Sequence, residues 1–199
     1  METQKISPTY ARTETGNYGH TVAISDKILA VKAPFDYKLG RRGIVHLYER
    51  QSTGQYVEID QLSAPDGPHT ETYHSPQIVL LDDFVLVGAP EYSKVYVFQP
   101  NGSGGYRKTT ELTASDATSR SNFGIKIGGR GADVLVSDRG DDSTYLFSYE
   151  DGVWKEKAKF EGYHAALSGK SIVVHSPFEF NLYESRYGGR VRFYDLVCE

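Results

Sequence analysis

The stretch YGHTVAISDKILAVKAP, Tyr18 to Pro34, decides how the whole chain is read, because it comes back three times. The later copies are YHSPQIVLLDDFVLVGAP (Tyr73 to Pro90), FGIKIGGRGADVLVSDR (Phe123 to Arg139) and EGYHAALSGKSIVVHSP (Glu161 to Pro177). The segments between them are alike as well. Self-similarity at a fixed spacing means one structural unit used repeatedly, each burying its apolar face on the next. Four units are expected.

Each copy opens with two short apolar runs. In the first they are Thr21 to Ile24 and Ile28 to Val31, and the Ser25, Asp26 and Lys27 between them suit a tight hairpin, as do Ser168, Gly169 and Lys170 in the fourth. Runs this apolar predict strands covered on both faces. A third strand follows each time: GIVHLY (Gly43 to Tyr48), SKVYVF (Ser93 to Phe98), DSTYLF (Asp142 to Phe147) and GGRVRFY (Gly188 to Tyr194). Its period of two sends His46, Tyr96 and Arg192 to one side and Val45, Val95 and Val191 to the other. After the turn segments QSTG, PNGSGG and EDG, a fourth strand pairs an aromatic with an apolar anchor: Tyr56 with Leu62, Tyr106 with Leu112, Trp154 with Phe160. Because Tyr48, Phe98, Phe147 and Tyr194 also hold one repeat position, these rings are expected to pack the repeat rather than to stack on ligands.

The fourth copy stops after its third strand. Residues 3 to 8, TQKISP, align with IDQLSAP (Ile59 to Pro65) and TELTAS (Thr110 to Ser115), which puts Ile6 where Leu62 and Leu112 stand. The N-terminal strand is therefore expected to complete the last sheet and remove an open strand edge.

Composition agrees with a β protein rich in turns. Of 199 residues 39% are hydrophobic and 13% aromatic, with 15 Tyr and 20 Gly, and no stretch carries a helical apolar period. The net charge of −4 gives no electrostatic drive toward nucleic acid or an anionic membrane surface. A single Cys198 excludes an intrachain disulfide. No apolar run suits a membrane span, and METQKISPTYARTETG has no apolar signal core. The expected location is cytoplasmic if Met1 is the native start and extracellular if a signal was removed.

These residues resemble the FG-GAP repeats of integrin-alpha-like β-propellers, over almost the whole chain. Tyr18-Gly19 and Phe123-Gly124 look like the FG element, and Val87-Gly88-Ala89-Pro90 reproduces the GAP element, with Lys32-Ala33-Pro34 and His175-Ser176-Pro177 as degraded versions. LTASD (Leu112 to Asp116) and LSAPDG (Leu62 to Gly67) are similar to outer-strand endings in microbial and algal members. Tyr73-His74 and Glu161-Gly162 replace FG, and Ser137-Asp138-Arg139 replaces GAP. The resemblance implies an all-β propeller of four four-stranded antiparallel blades in a single domain over 1–199. The blades would cover about 17–65, 72–115, 122–160 and 161–199 plus 1–8. A monomeric ring closed by its own N-terminal strand is the favoured form. A strand-swapped dimer, in which that strand completes a partner's blade, is the alternative.

In integrins the resemblance would place calcium in the loop between first and second strands. Here Leu81-Asp82-Asp83 and Gly128 to Asp133 leave too few oxygens, so no metal and no cofactor are expected. Arg139-Gly140-Asp141 is an RGD triplet on a short loop; a local ion pair or turn, with Gly140 permitting positive φ, is the expectation rather than an adhesive ligand. Asn101-Gly102-Ser103 is a glycosylation sequon of the kind that arises by chance. There is no GxSxG elbow, HExxH or CxxC pair, and the protein is not expected to be an enzyme. His20, His74 and His164, near the starts of inner strands, could meet at the axis, although packed side chains are the plainer reading.

Long loops, in contrast, are informative. Phe35 to Arg42 and Phe178 to Tyr187 lie between second and third strands of the first and fourth copies, neighbours in a closed ring. They would bring Asp36, Tyr37, Arg41, Arg42, Phe180, Tyr183, Arg186 and Tyr187 onto one patch, a mixture favoured at binding hot spots. The alternative is that the aromatics merely cap the space between sheets while the charges are solvated. The expected function is a non-enzymatic binding module that presents these loops to a protein partner. A lectin holding a glycan is the alternative, and a glycan-acting enzyme comes third.

Overall fold

Fifteen strands in four antiparallel sheets make up the computed structural model, which describes residues 4–7, 18–36, 41–63, 77–181 and 186–196. The first sheet holds β1 (Thr21–Ile24), β2 (Ile28–Asp36), β3 (Arg41–Arg50) and β4 (Tyr56–Leu62). The second holds β5 (Ile78–Leu81), β6 (Phe84–Ala89), β7 (Lys94–Pro100) and β8 (Tyr106–Leu112), the third β9 (Phe123–Arg130), β10 (Asp133–Asp138), β11 (Ser143–Glu150) and β12 (Val153–Glu161). The fourth holds β13 (His164–Ser168), β14 (Ser171–Asn181) and β15 (Arg186–Asp195). In every sheet the strands pair in chain order, so each repeat is a meander. The only helix among the described residues is a single 3-10 turn over Pro90–Tyr92, and none is long and apolar enough to cross a membrane.

Turn chemistry sets the registers. The β1–β2 turn is held by Ser25, whose Oγ accepts the Ile28 N–H at 3.0 Å while its own N–H donates to the Ile28 carbonyl at 2.8 Å. Asn101 does the same for β7–β8: its Oδ1 accepts the N–H groups of Ser103 at 2.9 Å and Gly105 at 3.1 Å, so the sequon is a turn. Between third and fourth strands the register slips at Leu47/Tyr48, Val97/Phe98 and Leu146/Phe147, one bulge at the same repeat position three times. Such a bulge increases the local twist of the outer strands.

Sheets pack face to face in series. One core joins the first sheet to the second through Ala30, Val45, Leu47 and Leu62 on one side and Ile78, Val85, Val87, Tyr96 and Phe98 on the other. A second core joins the second sheet to the third through Leu86, Val95, Val97 and Leu112 against Phe123, Ile127, Val136, Tyr145 and Phe147, and a third sets Leu135 and Leu146 against Ile172 and Val174. The alternation expected in the third strands holds, since Val95 and Tyr96 belong to different cores. Of the repeated aromatics, Trp154 packs as expected, in a cluster with Phe84 and Tyr149 whose ring centroids are 4.7 to 5.3 Å apart.

At the ends of the series two expectations are corrected. Among the described residues the fourth sheet has three strands, and residues 4–7 are not a strand of it. Instead they lie along the first sheet, where the Gln4 side chain accepts the Tyr56 N–H at 2.8 Å and donates to the Tyr56 carbonyl at 2.9 Å. The outward faces are open: Val22 and Ile24 of β1, expected to be covered, are exposed, as are Val191 and Phe193 of β15. No described core joins the fourth sheet to the first.

Candidate functional site

In the two long connections the described residues are strand rather than loop. β2 and β3 continue their ladder to Phe35 opposite Arg42 and Asp36 opposite Arg41, and β14 and β15 continue theirs to Phe180 opposite Tyr187 and Asn181 opposite Arg186. A second shift, between Ser176 and Glu179, re-aims the β14–β15 extension. Tyr37 and Tyr183 lie outside the described residues. Of the eight residues expected to share a patch, the structure thus gathers Asp36, Arg41 and Arg42 on one hairpin and Phe180, Arg186 and Tyr187 on another. The hairpins belong to the first and fourth sheets of the series.

A second group of side chains is assembled where the third and fourth sheets meet. Lys126 on β9 sets its Nζ 2.6 Å from Nδ1 of His164 on β13, and the His164 ring lies 4.5 Å from Tyr163 and 5.8 Å from His175 on β14. Burial holds the His164 imidazolium below its ordinary range, helped by the positive Lys126, His175 and Arg139, while Asp142 opposes. A neutral imidazole accepting from Lys126 at Nδ1 carries its proton on Nε2. Asp142 takes the Ser176 hydroxyl on Oδ2 at 2.8 Å, and its buried Oδ1 has no partner among the described residues. The arrangement concentrates positive charge around one carboxylate.

His164 is thus a packed and hydrogen-bonded side chain, the plainer of the two readings, and its neighbours are His175 and Lys126. His74 lies outside the described residues. The signal available in the sequence was that His175 stands opposite His164 when the β13 and β14 runs are paired in register.

The RGD segment is a turn built on Asp138, whose Oδ1 accepts the N–H groups of Asn122 at 2.7 Å, Gly140 at 2.9 Å and Asp141 at 3.3 Å. Its other oxygen takes the Ser121 hydroxyl, and the Asp141 carboxylate accepts from Thr118 at 2.8 Å. Gly140 does not have positive φ. Glycine is needed there because a Cβ would come within 1.7 Å of the Arg120 carbonyl oxygen. Among the described residues no group of three or more His, Cys, Asp or Glu could hold a metal ion.

Known proteins resemble this chain in fold alone. No protein family matches it by sequence, and neither does any curated protein. A protein from Lactobacillus plantarum is similar in structure with a TM-score of 0.53 at 16% identity, over 87% of this chain and 58% of that one. A functionally unknown protein from Desulfotomaculum acetoxidans DSM 771 gives 0.56 at 13% identity, over 88% of this chain and 55% of that one. The chain thus spans little more than half the length of either.

Proposed function

We propose that the four sheets are blades of an FG-GAP-like β-propeller and that the protein is a non-enzymatic binding module presenting its hairpins to a protein partner. The serial face-to-face packing of four-stranded meanders supports the propeller, as do the glycines at the FG and GAP positions. The observation that carries the binding reading is the length of two equivalent hairpins. β2, β3, β14 and β15 run nine, ten, eleven and ten residues, whereas β6 and β7 run six and seven. Extra length at the same place in the repeat projects beyond the same rim. A rigid scaffold carrying variable projections is how folds of this kind present binding residues, and Arg and aromatic residues are those most often found at hot spots.

The test compares the wild type with an Arg41→Ala, Arg42→Ala, Arg186→Ala variant as bait in an extract of the native source, with a glycan array run in parallel. The wild type is expected to retrieve a fixed set of proteins, and the variant to lose them at an unchanged melting temperature. Retention of the same proteins by the variant removes the hairpins from the site. A glycan signal with no retrieved protein replaces this reading with the lectin one.

A further inference from the structure

We infer that two copies of this chain close into one ring, the fourth sheet of each seated on the first sheet of the other, so that the binding patch is shared between protomers. Cross-strand register makes the open end faces equivalent to faces that are buried inside the chain. Ala30 opposite Leu47, Leu86 opposite Val97, Leu135 opposite Leu146 and Val173 opposite Phe193 are one repeat position. Leu47, Val97 and Leu146 are 0, 0 and 3% exposed under the next sheet, whereas Phe193 is 78% exposed. On the opposite face Val22 is equivalent to Ile78 and Ile127, each 7% exposed, and Val22 is 61% exposed. The two bare faces are the two halves of an interface that the chain already makes three times.

The N-terminal residues say where the missing sheet sits. Asp60 of the first sheet accepts the Tyr106 N–H of the second at 2.6 Å, and the Gln4 bond to Tyr56 repeats that contact one unit earlier. Gln4 is therefore placed as the outer strand of a sheet preceding the first, and among the described residues the fourth sheet is the one that lacks an outer strand. By the register of Leu62 and Asp60 on β3, Ile6 would lie opposite the partner's Val191 and Gln4 opposite the partner's Phe193. Closure this way sets the hairpin of Asp36, Arg41 and Arg42 beside the partner's hairpin of Phe180, Arg186 and Tyr187. This rests on the propeller and binding-module reading above.

Sedimentation of the full chain should give twice the 22.2 kDa of one copy. A mass of one copy at all concentrations, or of more than two, overturns the ring. Val22→Asp and Phe193→Asp should each sediment as single copies with unchanged β circular dichroism, and an equimolar mixture should regain the two-copy species, since each variant keeps the face the other has lost. Two copies from either variant alone, or none from the mixture, overturns the head-to-tail arrangement. Independently of those variants, Gln4→Cys with Phe193→Cys in a Cys198→Ser background should oxidise to a band of twice the mass; an intrachain disulfide alone overturns the shared ring in favour of self-closure. A single-copy variant that binds the protein partner as tightly as the wild type removes the shared patch but not the binding module. A two-copy wild type that binds nothing removes the module but not the ring.

Discussion

A Cβ placed on Gly88 would sit 2.2 Å from the carbonyl oxygen of Gly124, so β6 of the second sheet and β9 of the third touch backbone to backbone. Gly124 is itself confined, with φ of +92° and space for a Cβ closed by the Lys94 carbonyl at 2.5 Å. Gly19 and Gly162, at the same place in their repeats, also have positive φ. A methyl at Gly88 must push two sheets apart. Gly88→Ala is expected to cost about 2 to 4 kcal/mol, seen as a lower urea midpoint with an unchanged β spectrum.

In the first repeat a lysine takes the place of Gly88. Lys32 is 4% exposed, and burial brings its ammonium down to about 8 from an ordinary 10.5, with Glu91 opposing. Because the folded value is depressed, this group's stabilisation is complete above the ordinary value and is lost as pH falls through about 8. Lys32→Met is accordingly expected to raise stability at pH 7 by about 2 kcal/mol, and the gain should shrink toward pH 10. Equal gains in urea unfolding at both pH values would refute the assignment.

Asp138 is fully buried and its carboxylate holds Ser121, Asn122, Gly140 and Asp141 together. Replacing it by Ala leaves the buried Ser121 hydroxyl and three part-buried N–H donors unpaired. A loss of about 3 kcal/mol is expected, with Asp138→Asn retaining part of it, by thermal melting. Arg139→Ala, in the same triplet, should leave the melting temperature within a degree or so, since a surface substitution away from such features costs little.

His164 offers a pH test of the second cluster. Lys126→Met removes a positive neighbour, so the imidazole should titrate closer to its ordinary range, followed by NMR of its ring protons. The depressed folded value means stability present above the ordinary histidine range and lost as pH falls through the folded one. The variant should lose less stability on acidification than the wild type.

Much of this was legible in the chain because strands, turns and repeats are written in short-range patterns. The alternation around Val95 and Tyr96, the aromatic at Tyr48, Phe98 and Phe147, and the polar turn at Asn101 each involve residues within one hairpin. Phe35–Arg42 and Phe178–Tyr187 were expected as loops, and their continuation as strand was not legible because a ladder that runs past Pro34 and Pro177 depends on pairing with the facing strand. Of the cluster that Lys126, His164 and His175 form, only His164 was singled out, because Lys126 lies in a different repeat and no periodicity connects the two.

By itself the sequence determined the repeat, the four strands of a unit, their order and the faces they bury, since each of these depends on side-chain alternation and turn preference over a few residues. Tertiary structure alone decided that Gln4 reaches Tyr56, that Lys126 reaches His164, and that Val22 and Phe193 stand exposed. Those relations depend on how each sheet twists and seats against the next, and the sum of such small rotations along the series is carried by no single stretch of the chain.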